Sequence, residues 1–493
     1  MNVNSVFETF LEKVGEYGVV EEIKHPIATL SGLPKAKPNE IILLETGEIG
    51  EVFVVDRDSV KVMIFSNRPV RVGTRVTRTD QILSIPVGEE LIGQVITPLG
   101  EPILNRANFK APTTMREIDQ AVKRVDQRVR IDEPLNTGVA IIDLLIPLGK
   151  GQRELVIGDR KTGKTAFFNT IIKQQIREGA LVIYAAIGKK KGEIKRLVEY
   201  FQTSGMLKQM IFVATDSQDA STSIFLTPFS AMTIAEYFRD KGIDVLVLFD
   251  DLTTHAKFYR EVSLLSNRFP GRDSYPGDIF FTHAKLLERS GKCKIGDGSK
   301  SASITCLPVV ETILADLTGY IQTNLMGITD GHIFFDSNVF ANGRRPAVNV
   351  GLSVTRVGKQ TQSKLKKQIS SELTAFLASY EKMQSFSHFG AELSSDMVKN
   401  LNRGKKLYEF FEQHFDLAMP VEVQLCMLGL IWNGTLDATT KDELNEMKRK
   451  MVQKYEDATV QKRLQEISGV DTFQELVERV VAAKDELIAL CKT

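Results

Sequence analysis

Gly158-Asp159-Arg160-Lys161-Thr162-Gly163-Lys164-Thr165 matches G-x-x-x-x-G-K-[ST] at every fixed position. A strand-like run, Glu154–Ile157, precedes it, and a stretch of helical texture, Ala166–Gln175, follows it. Strand, glycine-rich turn and helix in that order form a phosphate cradle. The glycines let backbone N–H groups curl round phosphate oxygens, and the helix N-terminus adds partial positive charge. In such a cradle Lys164 reaches the outer phosphates, and the Thr165 hydroxyl can ligate Mg²⁺.

Downstream, Val245–Phe249 is apolar and ends in Asp250-Asp251. A carboxylate at the carboxyl end of a buried strand can hold Mg²⁺ or its water opposite a phosphate loop, and Asp250 is the candidate. The bland alternative is an acidic strand terminus at a turn. Leu181–Ile187 and Ile211–Ala214 also read as buried strands, each followed by a polar turn and an amphipathic segment. This alternation runs from Leu91 to about Val357. It predicts a mostly parallel sheet with helices on both faces, and a ligand at the carboxyl ends of the strands.

Upstream, Gly18 to Pro86 has β texture. Ile41–Leu44, Val52–Val55, Val60–Phe65 and Arg75–Thr77 are short runs separated by turn residues. Such spacing predicts a small barrel or sandwich. Ahead of it, Phe7, Phe10, Leu11 and Val14 fall at helical spacing. That helix either folds back on its own domain or is an arm that docks a partner. Beyond Gly358, Lys364–Phe386, Asp396–His414, Thr440–Ile467 and Thr472–Leu490 read as helices, and Leu425–Trp432 as a buried helix or strand. The expected fold class is α/β, with an N-terminal small β-barrel, a central P-loop (RecA-like) domain and a C-terminal helical domain. The expected boundaries are 1–17 for the arm, 18–87 for the barrel, 88–358 for the nucleotide-binding domain and 359–493 for the helices.

A chain of 493 residues suits about three domains. Its formal net charge of +1 argues against a dedicated nucleic-acid binder, which carries a basic excess. No apolar run approaches the length of a transmembrane helix. The N-terminus carries Glu8, Glu12 and Glu16 and does not read as a signal or transit peptide. The four cysteines form no CxxC pair, and the six histidines show no metal-ligand spacing, so neither a zinc site nor a disulfide framework is suggested.

Taken together, Gly158–Thr165, Asp250-Asp251-Leu252, Pro270-Gly271-Arg272, Tyr275–Asp278, Leu286–Arg289, Ile328–Gly331 and Arg345–Gly358 resemble the alpha subunit of F-type rotary ATP synthases. Order and spacing agree from about Val19 to Trp432. The resemblance implies a subunit that alternates with beta subunits in a hexameric ring round a central gamma shaft. It implies Mg-ATP bound by residues 158–165, with Thr165 and Asp250 on the metal and Arg345, Pro346 and Gln413 at the adenine end. It also implies that Arg356 is an arginine finger offered to the neighbouring beta subunit. The N-terminal arm becomes a candidate contact for the stator delta subunit. The chain is then peripheral, on the cytoplasmic face of the cell membrane, and meets the membrane only through its complex.

Several residues depart from that family's pattern. Hydrolysis needs a group that orients or deprotonates water. Catalytic beta subunits carry Glu directly after the glycine that ends the strand following the phosphate-loop helix, and alpha subunits usually carry Gln. Here that residue is Lys189, after Ile187-Gly188. An ammonium cannot accept the proton, so the chain is expected to hold ATP without rapid turnover. Glu193 lies four residues on and could in principle substitute. Lys161 stands for the usual Gln, Gly327 for Ser, Ser266–Phe269 for Leu-Arg-Arg-Pro, and Phe415 for the second glutamine of the adenine end. Three rival readings follow. One is an alpha-like subunit of a diverged ring driving another mechanical load. The others are a self-sufficient secretion-type hexameric ATPase and an RNA translocase, which would need a basic, aromatic surface.

Overall fold

The computed structural model describes residues 3–104, 106–387 and 395–492. Its contacts divide into two units. One comprises Met1–Val129, Leu181–Glu311 and Leu317–Ile328; the other comprises Arg130–Ala180, Thr312–Asp316 and Thr329–Thr493.

In the first unit six antiparallel strands close into a barrel rather than a sandwich. Round the barrel they run Tyr17–Lys24, Ile27–Ser31, Val60–Ile64, Ile49–Val55, Glu40–Leu44 and Arg75–Ile82, and the last pairs back to the first. Closure removes every open sheet edge. Alternate side chains, among them Val20, Leu30, Ile42, Val52, Val62 and Val76, fill the interior. The helix Val3–Val14 folds back on this barrel. Phe7 is buried, the Arg75 guanidinium lies 5.3 Å over its ring, and Arg75 also pairs with Glu8 at 3.2 Å.

The same unit holds parallel strands in the order Lys300–Thr312, Val245–Asp250, Leu181–Lys189, Met210–Asp216 and Val95–Ile96. Gly291–Ile295 joins antiparallel. The central strands are apolar along their length because helices cover both faces, so no polar face is needed.

The second unit pairs Glu154–Asp159 in parallel with Gly331–Phe335, which pairs antiparallel with Val354–Thr355. The C-terminal helices follow. Lys364–Ser387 forms as expected, and Leu425–Trp432 lies within a largely buried helix, Val421–Trp432. The helix expected over Asp396–His414 runs Ser395–Phe411 instead. Buried Lys448 stops it by donating to the carbonyls of Glu409, Phe410 and Glu412, a lysine cap on the helix C-terminus. The single helix expected over Thr440–Ile467 is two, Lys441–Lys454 and Ala458–Ser468. Asp457 caps the second, accepting the Thr459 N–H at 2.7 Å. The helix expected over Thr472–Leu490 also divides, into Phe473–Ala482 and Lys484–Lys492. Among the described residues no helix is long and apolar enough to cross a membrane.

Candidate functional site

The strand Glu154–Asp159 delivers the chain into the loop, and the helix Lys164–Arg177 leaves it. Gly163 is the N-cap with φ 99°, a conformation that a residue with a Cβ rarely takes. The Lys164 ammonium folds back over the loop, 2.9 Å from the Gly158 carbonyl oxygen and 2.5 Å from that of Asp159. The Thr165 hydroxyl stands at the exposed first turn of the helix. Arg160 and Lys161 are exposed on the loop.

Asp159 anchors the loop through its side chain. Its carboxylate accepts the Thr312 hydroxyl at 2.6 Å, the Ser337 hydroxyl at 2.5 Å and the Ala315 N–H at 3.0 Å. Burial alone would raise its pKa, but these hydrogen bonds win and hold it below the ordinary carboxylate value. Asp159 therefore contributes to the cradle through its backbone.

Arg345, Pro346 and Gln413 come together with this loop. They line one cavity of about 320 Å³ with Thr162, Gly163 and the helix that follows. The Gln413 N–H bonds the Arg345 carbonyl at 2.7 Å, which stitches the two segments together. The Thr170 hydroxyl donates to the Phe415 carbonyl at 2.8 Å and fixes the next residues against the phosphate-loop helix. The Gln413 side chain, however, is turned to its own backbone surroundings, Gly138, Ala140 and Leu417.

In the first unit, parallel pairing puts Ala186 opposite Asp250, so Lys189 and Asp250 both lie at the carboxyl ends of neighbouring strands. Lys189 Nζ is 2.6 Å from Asp250 Oδ1 and 3.9 Å from Asp251 Oδ2. Burial opposes the charge on Lys189, but the two carboxylates outweigh it and raise its pKa. The Tyr184 hydroxyl donates to the other oxygen, Asp250 Oδ2, at 2.5 Å. Both oxygens of the proposed metal-side carboxylate are thus engaged by this chain's own groups. Asp251 caps the following helix, accepting the Thr254 N–H at 2.7 Å, and burial pushes its pKa up to about 6. Glu193 is exposed in the first turn of the helix Lys191–Thr203.

Arg356 lies in the second unit, outside the cavity lining, just beyond the strand Val354–Thr355. It is exposed, and among the described residues its guanidinium makes no hydrogen bond or ion pair. Its backbone is held on both sides. The Arg356 N–H bonds the Asp330 carbonyl at 3.3 Å, and the Thr355 hydroxyl donates to the Pro147 carbonyl at 2.7 Å. A Cβ on Gly358 would stand 1.7 Å from the same Pro147 oxygen, so only glycine lets the segment lie this close. The guanidinium is thus exposed on a pinned backbone, with the buried Glu154 carboxylate as an electrostatic neighbour.

Sequence reading missed Tyr184 and Phe340. Tyr184 precedes Ala186 by two residues, so strand period places it on the face of Asp250. That signal is usable only once the two strands are known to be neighbours. Phe340 carries the Arg345 guanidinium 3.3 Å over its ring, a contact that five-residue spacing alone does not announce.

The ATP synthase alpha/beta family nucleotide-binding domain matches residues 138–355, and the C-terminal domain of the alpha/beta chain matches 362–485. The chain is 39% identical to ATP synthase subunit alpha of Ehrlichia ruminantium over 90% of its own length and 88% of that protein. It is 40% identical to the subunit alpha of Orientia tsutsugamushi over 90% and 88%. With that of Clostridium acetobutylicum the identity is 41% over 87% and 84%. Loop, barrel, helical domain and these relatives agree: the chain belongs to the ATP synthase alpha/beta family, on its alpha side.

Proposed function

We propose that this chain is the non-catalytic subunit of a rotary ion-translocating ATP synthase. It binds ATP at Gly158–Thr165 without rapid turnover and lends Arg356 to the catalytic site of an adjacent beta subunit. The observation that carries this reading is Lys189. The position that needs a proton acceptor holds an ammonium, and that ammonium is ion-paired to Asp250 at 2.6 Å. It can neither orient water as a carboxylate does nor leave Asp250 unshared.

Thr165, with an exposed hydroxyl, would hold the magnesium ion that accompanies ATP; when bound, the ion neutralises phosphate charge. Asp250, in the first unit, is a carboxylate shared with Lys189 and Tyr184. Lys164 binds the outer phosphates, and the backbone N–H groups of residues 158–165 orient them. In the ring, beta subunits alternate with this chain round a gamma shaft. The helix Val3–Val14 supplies a stator contact through the surface that it leaves off the barrel. The assembly sits at the cytoplasmic face of the cell membrane.

The purified chain is expected to bind ATP and to release no phosphate. Nucleotide extracted after prolonged incubation should still be the triphosphate. Sustained phosphate release by the isolated chain would overturn the non-catalytic assignment.

A further inference from the structure

Telling adenine from guanine takes hydrogen bonds at the base edge. Adenine offers a 6-amino donor where guanine offers an O6 acceptor, while both offer N7 as an acceptor. A site built to make such bonds rejects the wrong partner by roughly 10⁴–10⁵-fold, whereas an apolar pocket separates near-isosteres by only about 10–200-fold.

The cavity beside the phosphate-loop helix has a wall of the second kind. Ala166, Phe167, Phe340, Pro346 and Phe415 give it apolar and aromatic faces. Gln413 is the side chain able to bond either base, and it is already engaged. Its Nε2 donates to the Gly138 carbonyl at 2.5 Å and to the Leu417 carbonyl, and its Oε1 accepts the Ala140 N–H at 3.2 Å. The whole residue is only 8% exposed. Two residues on, Phe415 is 41% exposed and presents a ring without a polar atom.

Arg345 reinforces the same outcome. Its Nη1 donates to the carbonyls of Phe340 at 2.7 Å and Arg344 at 2.8 Å, and the guanidinium carbon lies 3.3 Å over the Phe340 ring. Its other N–H groups are donors only. A donor reaching N7 holds adenine and guanine alike, and one reaching the 6-position favours guanine. His414 ties its Nδ1 to Asp416, with its ring 4.4 Å from that of Phe415.

We propose that this site takes purine nucleoside triphosphates by stacking and shape, and accepts guanine as well as adenine. The proposal rests on the reading of Gly158–Thr165 as a nucleotide site and adds the base class to it.

The test is displacement of a ribose-labelled fluorescent ATP from the full-length chain by unlabelled ATP, GTP and CTP. GTP is expected to compete within about 100-fold of ATP, because the wall is largely apolar, the Gln413 amide is engaged, and an Arg345 donor would not favour adenine. CTP should be weaker than both, since its single ring stacks less. Phe415→Gln, at an exposed position that should not disturb folding, is expected to widen the ATP-to-GTP ratio. Exclusion of GTP beyond that range while ATP still binds overturns this proposal and leaves the nucleotide-site reading standing. So does an ATP preference that disappears in His414→Phe, which would place base reading on the imidazole. CTP competing as well as ATP also overturns it, because the ring would then not be held in the cavity. Failure of all three nucleotides to bind overturns the nucleotide-site reading itself.

Discussion

Replacing Arg356 with alanine in the assembled ring is expected to lower ATP turnover by roughly 10³–10⁵-fold, the range an arginine finger supplies in phosphoryl transfer. ATP binding by the altered chain should be unchanged. The geometry separates these two effects. Arg356 is exposed, it lies outside the cavity beside the phosphate loop, and its guanidinium makes no hydrogen bond or ion pair among the described residues. Its backbone is held by Asp330, and its neighbours Thr355 and Gly358 are held by Pro147, none of which depends on the side chain. A surface substitution of this kind costs the fold within about 0.5 kcal/mol. Arg356→Lys should also fall far short of the parent, because a point ammonium lacks the planar fork that meets phosphate oxygens in pairs. Steady-state phosphate release by the reconstituted complex, with nucleotide binding measured on the same variants, gives the comparison. Retained turnover in Arg356→Ala would remove the finger assignment.

The second large effect concerns stability. Lys189→Met is expected to destabilise the first unit by about 3 kcal/mol, since removing one partner of a buried ion pair leaves the other charge uncompensated. The Asp250 side chain is only 8% exposed and that of Lys189 18%, so water can replace little of the lost interaction. The Tyr184 hydroxyl keeps its bond to Asp250 and limits the loss. A double variant, Lys189→Met with Asp250→Asn, should recover part of it, because the nearer stranded charge is gone while Asp251 remains. Urea unfolding of the single and double variants reads this coupling directly. Phosphate release should not rise in either, because no proton acceptor has been added. Equal stability of Lys189→Met and the parent would mean that the pair is not formed in solution.

Much of this molecule was legible residue by residue, and the limits are physical. The phosphate loop could be read because its glycines and its lysine are local requirements of one turn. Lys189 stood out in the sequence from its place after Ile187-Gly188. Its partner did not, since only the neighbouring order of Leu181–Lys189 and Val245–Asp250 brings the ammonium to the carboxylate. The barrel strands were visible as short apolar runs, but closure depends on Arg75–Ile82 pairing with both Tyr17–Lys24 and Glu40–Leu44, a long-range fact. Gln413 was placed at the base end by resemblance, and it lines the cavity beside the phosphate-loop helix. Its amide direction was hidden, because its partners Gly138 and Ala140 lie far off in the chain. The break at Asp457 was readable in principle as an Asp-Ala-Thr cap, yet no glycine or proline marks it and the charged pattern runs straight through.

The central claim is that this chain holds nucleotide and leaves the cleavage to its neighbour. The most direct measurement is phosphate release by the complex assembled from this chain and beta subunits whose own catalytic carboxylate has been replaced. The account predicts that ATP stays bound to this chain while turnover falls to background. Continued release from that complex would show that the chain hydrolyses ATP itself.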